Sequence, residues 1–197
     1  MALIRMLLYS GSAIGLVSFC IYRYTSPVSQ DRPRPPSQRL RNHIDSFNPS
    51  QYPVDGTYLS MRLAKSTTTS SDARTVMLAI FNSWVMSPER NVVKLFSSAY
   101  EPVTAKVGES SLGLFETVHA DDNEVILHWK VHNKLEGLHI IRAIDHGHDE
   151  VAYQLDSVFW NPWNPVGKVP PAGPFSTFAH TVYAKMMLRA GVASLLT

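Results

Sequence analysis

Residues 112–160, LGLFETVHADDNEVILHWKVHNKLEGLHIIRAIDHGHDEVAYQLDSVFW, alternate apolar runs with short polar turns. This pattern predicts four strands, at about 112–119, 124–132, 138–144 and 151–160. The turns between them are too short for a parallel crossover, so each strand must lie antiparallel to the next. The segment therefore predicts an antiparallel meander.

The segments on either side of the meander predict the rest of the domain. Upstream, residues 57–63 alternate as a strand, and two short helices follow at about 73–85 and 87–96, begun by Asp72 and Ser87. Downstream, a long helix from about Phe175 carries an apolar stripe. We expect an α+β fold in which this last helix covers one face of the antiparallel sheet and encloses a cavity.

Short motifs in this order resemble the helix-grip fold of the START and polyketide-cyclase superfamily, and within it a family of uncharacterised domains. The motifs are Trp84 with residues 87–91 (SPERN), residues 114–118 (LFETV) with the Asp121-Asp122 turn, and residues 178–180 (FAH) with 187–190 (MLRA). The resemblance spans about residues 52–195. It implies the fold and a cavity for a hydrophobic ligand, and it assigns no catalytic residue.

The N-terminal residues Met6–Tyr22 carry no charge and are bracketed by Arg5 and Arg23. A helix of this length is at the short end of what crosses a bilayer, so we expect a transmembrane anchor within residues 1–24. A cleaved secretory signal and a buried core helix are the alternatives. The first lacks a small-residue cleavage site, and the second lacks a polar stripe. Gly11 and Gly15 would let two such helices pack closely.

Five arginines follow the apolar segment, which places the bulk of the chain on the cytoplasmic or matrix side of the membrane. They are Arg23, Arg32, Arg34, Arg39 and Arg41. A short anchor with basic flanks favours a mitochondrial membrane over the endoplasmic reticulum by a small margin. The Pro-, Ser- and Arg-rich residues 25–51 predict a disordered stalk, and residues 52–197 form the predicted domain.

Composition excludes several classes of function. The formal net charge of +2 is too small to indicate nucleic-acid binding. The single cysteine, Cys20, permits neither an intramolecular disulfide nor a cysteine-based zinc site. His146 and His148 have ligand-like spacing, but the preferred interpretation is a solvated turn. We expect no metal and no cofactor, and we expect the lipid bilayer and an apolar small molecule as partners.

A histidine–carboxylate pair is the strongest candidate for acid–base chemistry. Pairing His119 with Glu124 places Glu116 on the apolar face, and continuing that register places His139 and Asp156 on the same face. Such a pair would have shifted pKa values and could transfer protons. A slip of one residue would turn Asp156 to the outer face, and the apolar residues at 151, 153, 155 and 159 favour that slip.

Aromatic residues complete the predicted pocket, although they also fill ordinary cores. Trp129 lies on the meander, and Phe178 and Tyr183 lie on the stripe of the last helix. The expected function is a membrane-tethered, non-enzymatic module that binds a lipid or isoprenoid. One alternative is a membrane-bound enzyme that uses Glu116, His139 or Asp156 on an apolar substrate. The other is an assembly subunit that binds a protein partner.

Overall fold

The computed structural model describes residues 17–96, 102–131, 135–147, 149–162 and 174–196. Its helices are α1 (residues 17–25), α2 (Gln38–Phe47), α3 (Ala73–Asn82), α4 (Ser87–Phe96) and α5 (Pro174–Ala193). Its strands are β1 (Ser29–Gln30), β2 (Val54–Ala64), β3 (Ser110–Ser111), β4 (Phe115–Ala120), β5 (Glu124–Val131), β6 (Leu135–Asp145) and β7 (Glu150–Trp160). Short 3-10 turns occupy Lys65–Thr67 and Trp84–Met86.

The described strands form one seven-stranded antiparallel sheet in the order β1-β2-β7-β6-β5-β4-β3. The predicted meander is confirmed as β4 to β7. The first long strand, β2, closes onto β7 over its whole length, with Val54 opposite Trp160 and Ala64 opposite Glu150. This is the α+β architecture expected from the sequence, an antiparallel sheet with a C-terminal helix, and it is consistent with a helix grip.

Helices α3 and α5 cover one side of the sheet, which we call the inner face. Asp72 caps α3 by accepting hydrogen bonds from the backbone N–H groups of Arg74 and Thr75. The buried stripe of α3 then packs into a core with strand residues of the inner face. Members of this core include Val76, Ile80, Phe81, Leu59, Leu127, Ile141, Leu155 and Leu188.

Two predicted element ends differ from the structure because local backbone conformation overrides the apolar pattern. Leu112 and Gly113 have φ angles of 57° and 63°, which turn the chain before β4 and delay that strand to Phe115. Helix α3 ends at Asn82, and the chain continues as a 3-10 turn instead of reaching residue 85 as a helix.

The predicted register of the first hairpin is wrong. The pairing shifts between Thr117 and His119, so Glu116 lies opposite His128 instead of on the inner face. Glu116 is exposed. The cause is a β-bulge, which adds a residue to one strand and turns the residues beyond it to the other face.

The predicted proximity of His139 and Asp156 is also wrong, and the alternative slip is confirmed. His139 lies opposite Ser157 on the inner face, whereas Asp156 lies opposite Ile140 on the outer face. The alternating apolar residues of β7 decide this register, because Tyr153 and Leu155 belong to the inner core.

The predicted disordered stalk at residues 25–51 contains regular structure, which corrects that expectation. Ser37 caps α2, and Leu40, Ile44 and Phe47 lie on one helical face. They cover the outer face of the sheet, where Leu40 is only 3% exposed. The apolar residues beneath them are Ile126, Leu138, Ile140, Val158 and Trp160. Burial of this small stripe offsets the entropy that disorders such a composition.

Ion pairs also hold residues 31–34 of the N-terminal segment against the sheet. Asp156, 1% exposed, accepts hydrogen bonds from Nη1 of Arg142 at 2.6 Å and Nη1 of Arg34 at 3.1 Å. Arg34 also pairs with Asp31. Burial raises the pKa of Asp156, and the two arginines oppose that shift. Asp156 is therefore a structural residue beneath the N-terminal segment.

The described end of the predicted anchor is α1, which lies beside α5. The ring of Tyr24 packs edge-on against Trp84 at 5.9 Å, and the Arg189 guanidinium lies 6.0 Å from the Tyr24 centroid. In the part of the chain that the structure describes, no helix has the length and hydropathy needed to cross a bilayer. Residues 6–16 of the predicted span, with Gly11 and Gly15, lie outside the described residues, as does His148.

Candidate functional site: a cavity between the sheet and the last helix

A cavity of about 280 Å³ lies between the inner face of the sheet and α5. Its lining comes from β4 to β7 and the residues just before β4, from α4 and the turn before it, and from α5. Most of these side chains are apolar, among them Met86, Leu112, Leu114, Phe115, Leu155, Ala184 and Met187. The cavity is partly open to solvent and lies where the order of sheet and helix predicts a space.

Several larger depressions lie elsewhere among the described residues, and two of them are less suited to a ligand. One, of about 700 Å³, is open and lies between the start of α3 and residues 103–107. The other, of about 480 Å³, lies between α2 and the outer face of the sheet. Its charged groups, Arg34, Arg142 and Asp156, already pair with one another.

Three of the six predicted site residues line the cavity: Trp129, His139 and Tyr183. The other three lie elsewhere. Glu116 is exposed, Asp156 is buried on the outer face, and Phe178 is 66% exposed in a groove between α1 and α5.

Sequence reasoning missed two polar residues of the cavity, His180 and Glu89. His180 precedes Tyr183 by three residues on α5, and that spacing places both on one helical face, a signal that the sequence contains. Glu89 is an acidic residue in the first turn of α4. Its direction toward the cavity depends on how α4 packs, which no local pattern shows.

Flat rings form one wall of the cavity. Trp129 and His139 are stacked with centroids 5.6 Å apart and planes inclined by 25°. His139 and His180 are nearly parallel, with centroids 6.3 Å apart and planes inclined by 11°. Phe115 completes the group at 5.7 Å from His139. Aromatic rings from the sheet and from α5 therefore contact one another at this side of the cavity.

Gly137 makes room for the Trp129 indole in this wall. The two residues are opposite each other on β6 and β5. A Cβ atom at position 137 would lie 2.4 Å from the Val158 carbonyl oxygen and 2.8 Å from Cζ2 of Trp129. Any larger residue would therefore displace the indole or the neighbouring strand.

Polar atoms of three cavity residues are buried and have no hydrogen-bond partner among the described residues. They are Nε1 of Trp129, Nδ1 of His139 and Oε2 of Glu89. Trp129 itself is only 8% exposed. A buried polar atom that lacks a partner costs about 1–3 kcal/mol. A water-sized probe does not reach these atoms, so their burial is a cost inside the packed wall and does not place a hydrogen-bonding group at the cavity surface.

The histidines of the wall are uncharged at neutral pH. Burial, and next the neighbouring His180, lowers the pKa of His139 to about 3. Burial also lowers the pKa of His180, whose Nε2 lies 3.2 Å from the Ser157 hydroxyl. Burial raises the pKa of Tyr183, and Glu89 adds to that shift. The cavity thus contains neutral imidazoles and a protonated phenol.

The buried neutral state of His139 predicts a dependence of stability on pH. Its pKa is 6.5 unfolded and about 3 folded, so below pH 6.5 the unfolded chain binds the extra proton and gains stability. The free energy of unfolding should therefore decrease between pH 6.5 and pH 4.5, by up to about 1.4 kcal/mol per pH unit from this residue. Urea unfolding across that range should show a smaller slope for His139→Phe.

The control for this prediction is Leu155→Met, which changes an adjacent core residue of similar volume without changing a titratable group. In this variant the free energy of unfolding should depend on pH as it does in the natural sequence. An unchanged slope in His139→Phe would mean that His139 is protonated in the folded protein.

The cavity residues are suited to binding and to positioning a neutral polar group. In the residues that the structure describes, no group of three metal-ligating side chains occurs. The predicted acid–base pair of His139 with Asp156 is absent from the cavity because the two side chains lie on opposite faces of the sheet.

Comparisons with known proteins give similarity only at the level of structure. No family model and no curated protein matches the chain. The crystal structure of CalU16 from Micromonospora echinospora has a TM-score of 0.36 and 10% identity, and the match covers 85% of this chain and 97% of that one. Norcoclaurine synthase from Thalictrum flavum has a TM-score of 0.21 and 13% identity, with 79% and 96% covered. Similarities this low do not identify a function.

Proposed function

We propose that this chain is a binding module for a compact apolar molecule, which it holds in the cavity between the inner face and α5. The observation that carries the proposal is a cavity of about 280 Å³ with a largely apolar lining between the sheet and the last helix. A core packed for stability alone leaves few voids larger than a water molecule. A space of this size and lining is therefore suited to an apolar ligand.

The size of the cavity narrows the ligand. At about 280 Å³ it lies just below the range of about 300–1,000 Å³ that is typical of small-molecule sites. A ring system or a short isoprenoid fits this volume. A lipid with two long acyl chains does not.

The test is to extract the purified full-length chain with organic solvent and to identify apolar molecules by mass spectrometry. We expect a bound molecule, and we expect Ala184→Leu to reduce its recovery several-fold, because Ala184 lines the cavity and is 3% exposed. Ala179→Leu is the matched control, since Ala179 is exposed on the same helix. Recovery of no molecule, together with no binding of added aromatic probes, would refute the proposal.

We further propose that residues 6–22 hold this module at a membrane, with the mitochondrial membrane favoured and the domain on its cytoplasmic or matrix side. The uncharged segment and its arginine flanks support this. So does α1, on which Val17, Phe19 and Tyr22 are exposed. Because β1 and α2 pack on the sheet, the domain would lie close to the bilayer instead of at the end of a long stalk.

The membrane proposal predicts how the chain behaves on carbonate extraction of membranes. The full-length chain should remain in the pellet, and a chain that begins at Val17 should move to the supernatant. Equal extraction of both chains would refute the anchor and would leave the cavity proposal unaffected.

A further inference from the structure

An exposed surface of the domain adjoins the proposed membrane anchor. We infer, on the basis of that anchor, that this surface lies against a bilayer that contains anionic lipid. We call it the α1–α5 face. Its residues are Tyr22 and Tyr24 of α1, Trp84 of the turn before α4, and Phe178, Val182, Lys185 and Arg189 of α5.

Helix α5 has two opposite sides. The side toward the cavity carries His180, Tyr183, Ala184 and Met187. On a helix of 3.6 residues per turn, the four α5 residues of the α1–α5 face lie opposite these. Helix α1 lies beside that outer side, where Tyr22, Phe178 and Lys185 line one groove. Helix α5 therefore separates the α1–α5 face from the cavity.

Large aromatic side chains of this face are exposed. The exposed fraction is 69% for Tyr22, 60% for Trp84 and 66% for Phe178. Contacts join them into one surface, because Tyr22 and Phe178 share a groove and the Tyr24 ring packs against Trp84 at 5.9 Å. An exposed apolar patch marks an interaction surface, and Trp and Tyr are enriched at the boundary between lipid and water.

Charge is distributed unevenly along the chain in a way that suits the same surface. All 16 acidic residues lie between Asp31 and Asp156, so α1 and α5 contain no carboxylate side chain. The two helices carry Arg23, Lys185 and Arg189. Among the described residues, Arg23 and Lys185 form no ion pair, and Arg189 lies over the Tyr24 ring. Cations without paired carboxylates, beside exposed rings, complement an anionic lipid surface.

The position of the face in the chain favours a bilayer over a second copy of the protein. Helix α1 begins where the uncharged residues 6–16 end, so the α1–α5 face adjoins the proposed anchor. A symmetric dimer through this face would bring two sets of cations together with no carboxylate from either helix to neutralise them. Anionic headgroups neutralise them instead.

The experiment measures whether a side chain of the face lies in lipid. The full-length chain, with Cys20→Ser to remove its single cysteine, is labelled with nitrobenzoxadiazole at Phe178→Cys or at Val107→Cys and inserted at one chain per nanodisc. We expect acrylamide, a neutral quencher, to quench the label at position 178 about three-fold less in discs with phosphatidylserine than in discs of phosphatidylcholine alone. The label at position 107 should be quenched equally in both.

Val107 is the matched position because it is 61% exposed and lies close to β3, at the opposite edge of the sheet from β1. A charge reversal tests the role of the cations. Lys185→Glu should remove the difference between the two lipids at position 178, because each basic residue near an anionic surface changes affinity by about five-fold. Lys106→Glu, at an exposed position outside the face, should keep that difference.

Equal quenching at position 178 in the two lipids would overturn the inference, as would a difference that Lys185→Glu leaves unchanged. In both cases the chain would still be held in the disc, so the proposed anchor would stand. Failure of the full-length chain to enter discs of either lipid would overturn the anchor as well.

Discussion

A chain that begins at Gln51 is expected to lose about 5 kcal/mol or more of folding stability compared with a chain that begins at Thr25. The shorter chain lacks β1, α2 and the ion pairs of Arg34. Full burial of a large apolar side chain contributes about 1.5–3 kcal/mol, and Ile44 and Phe47, which are partly buried, contribute less than the buried Leu40. Leu40, Ile44 and Phe47 all pack on the outer face of the sheet. Because a whole domain is stable by about 5–15 kcal/mol, the shorter chain should be largely unfolded or aggregated.

Removal of α2 also uncovers apolar residues of the sheet. Ile126, Leu138, Ile140 and Trp160 are fully buried beneath the N-terminal segment and neighbouring residues. An exposed apolar patch of this kind promotes association. The measurement is urea unfolding of the two chains, together with light scattering at equal concentration.

A single substitution tests the contact between α2 and the sheet without removing the whole segment. Leu40→Ala should decrease the free energy of unfolding by about 2–5 kcal/mol, because Leu40 is 3% exposed in the outer core. Asp45→Ala, at an exposed position of the same helix, is the matched control and should change it by less than about 0.5 kcal/mol. If the chains that begin at Gln51 and Thr25 had equal free energies of unfolding, residues 25–50 would not stabilise the domain, as expected of a disordered stalk.

Gly191→Ala is expected to destabilise the protein by about 2–4 kcal/mol, against the intrinsic preference of a helix for alanine. That preference favours alanine by about 1 kcal/mol at an unhindered helical position. At Gly191, however, a Cβ atom would lie 2.4 Å from Cγ1, 2.7 Å from Cα and 2.8 Å from the backbone nitrogen of Ile80. The backbone of α3 would have to move away from α5, and both helices cover the inner face.

Two further variants separate steric overlap from helix propensity. Ala179→Gly, at an exposed position of α5, should cost about 1 kcal/mol by propensity alone. Ile80→Ala combined with Gly191→Ala should not restore stability, because two of the three close atoms belong to the backbone. Thermal unfolding of the variants provides the readout, and a more stable Gly191→Ala would show that the helices do not touch at this point.

The site illustrates which inferences a sequence supports and which it does not. Trp129, His139 and Tyr183 were found because each lies in an apolar pattern that the core of the domain requires. Glu116 was placed wrongly because a bulge between Thr117 and His119 changes the register, and alternation alone cannot detect an added residue.

In the N-terminal segment, a local pattern was present in the sequence but composition pointed to a different structure. Its proline and arginine content indicates a spacer, yet Leu40, Ile44 and Phe47 repeat at helical spacing after the cap residue Ser37. The pattern was present in the sequence, but its significance depends on an apolar outer face that becomes available only when the sheet forms.

The sequence alone determined the α+β class, the antiparallel meander and the long final helix, because each follows from local periodicity and from turns of limited length. Only the tertiary structure decided the pairing of β2 with β7, the burial of Asp156 beneath Arg34 and Arg142, and the meeting of Glu89, His139 and His180 at the cavity. These features join residues far apart in the chain, and their register depends on a bulge and on packing that no local pattern encodes.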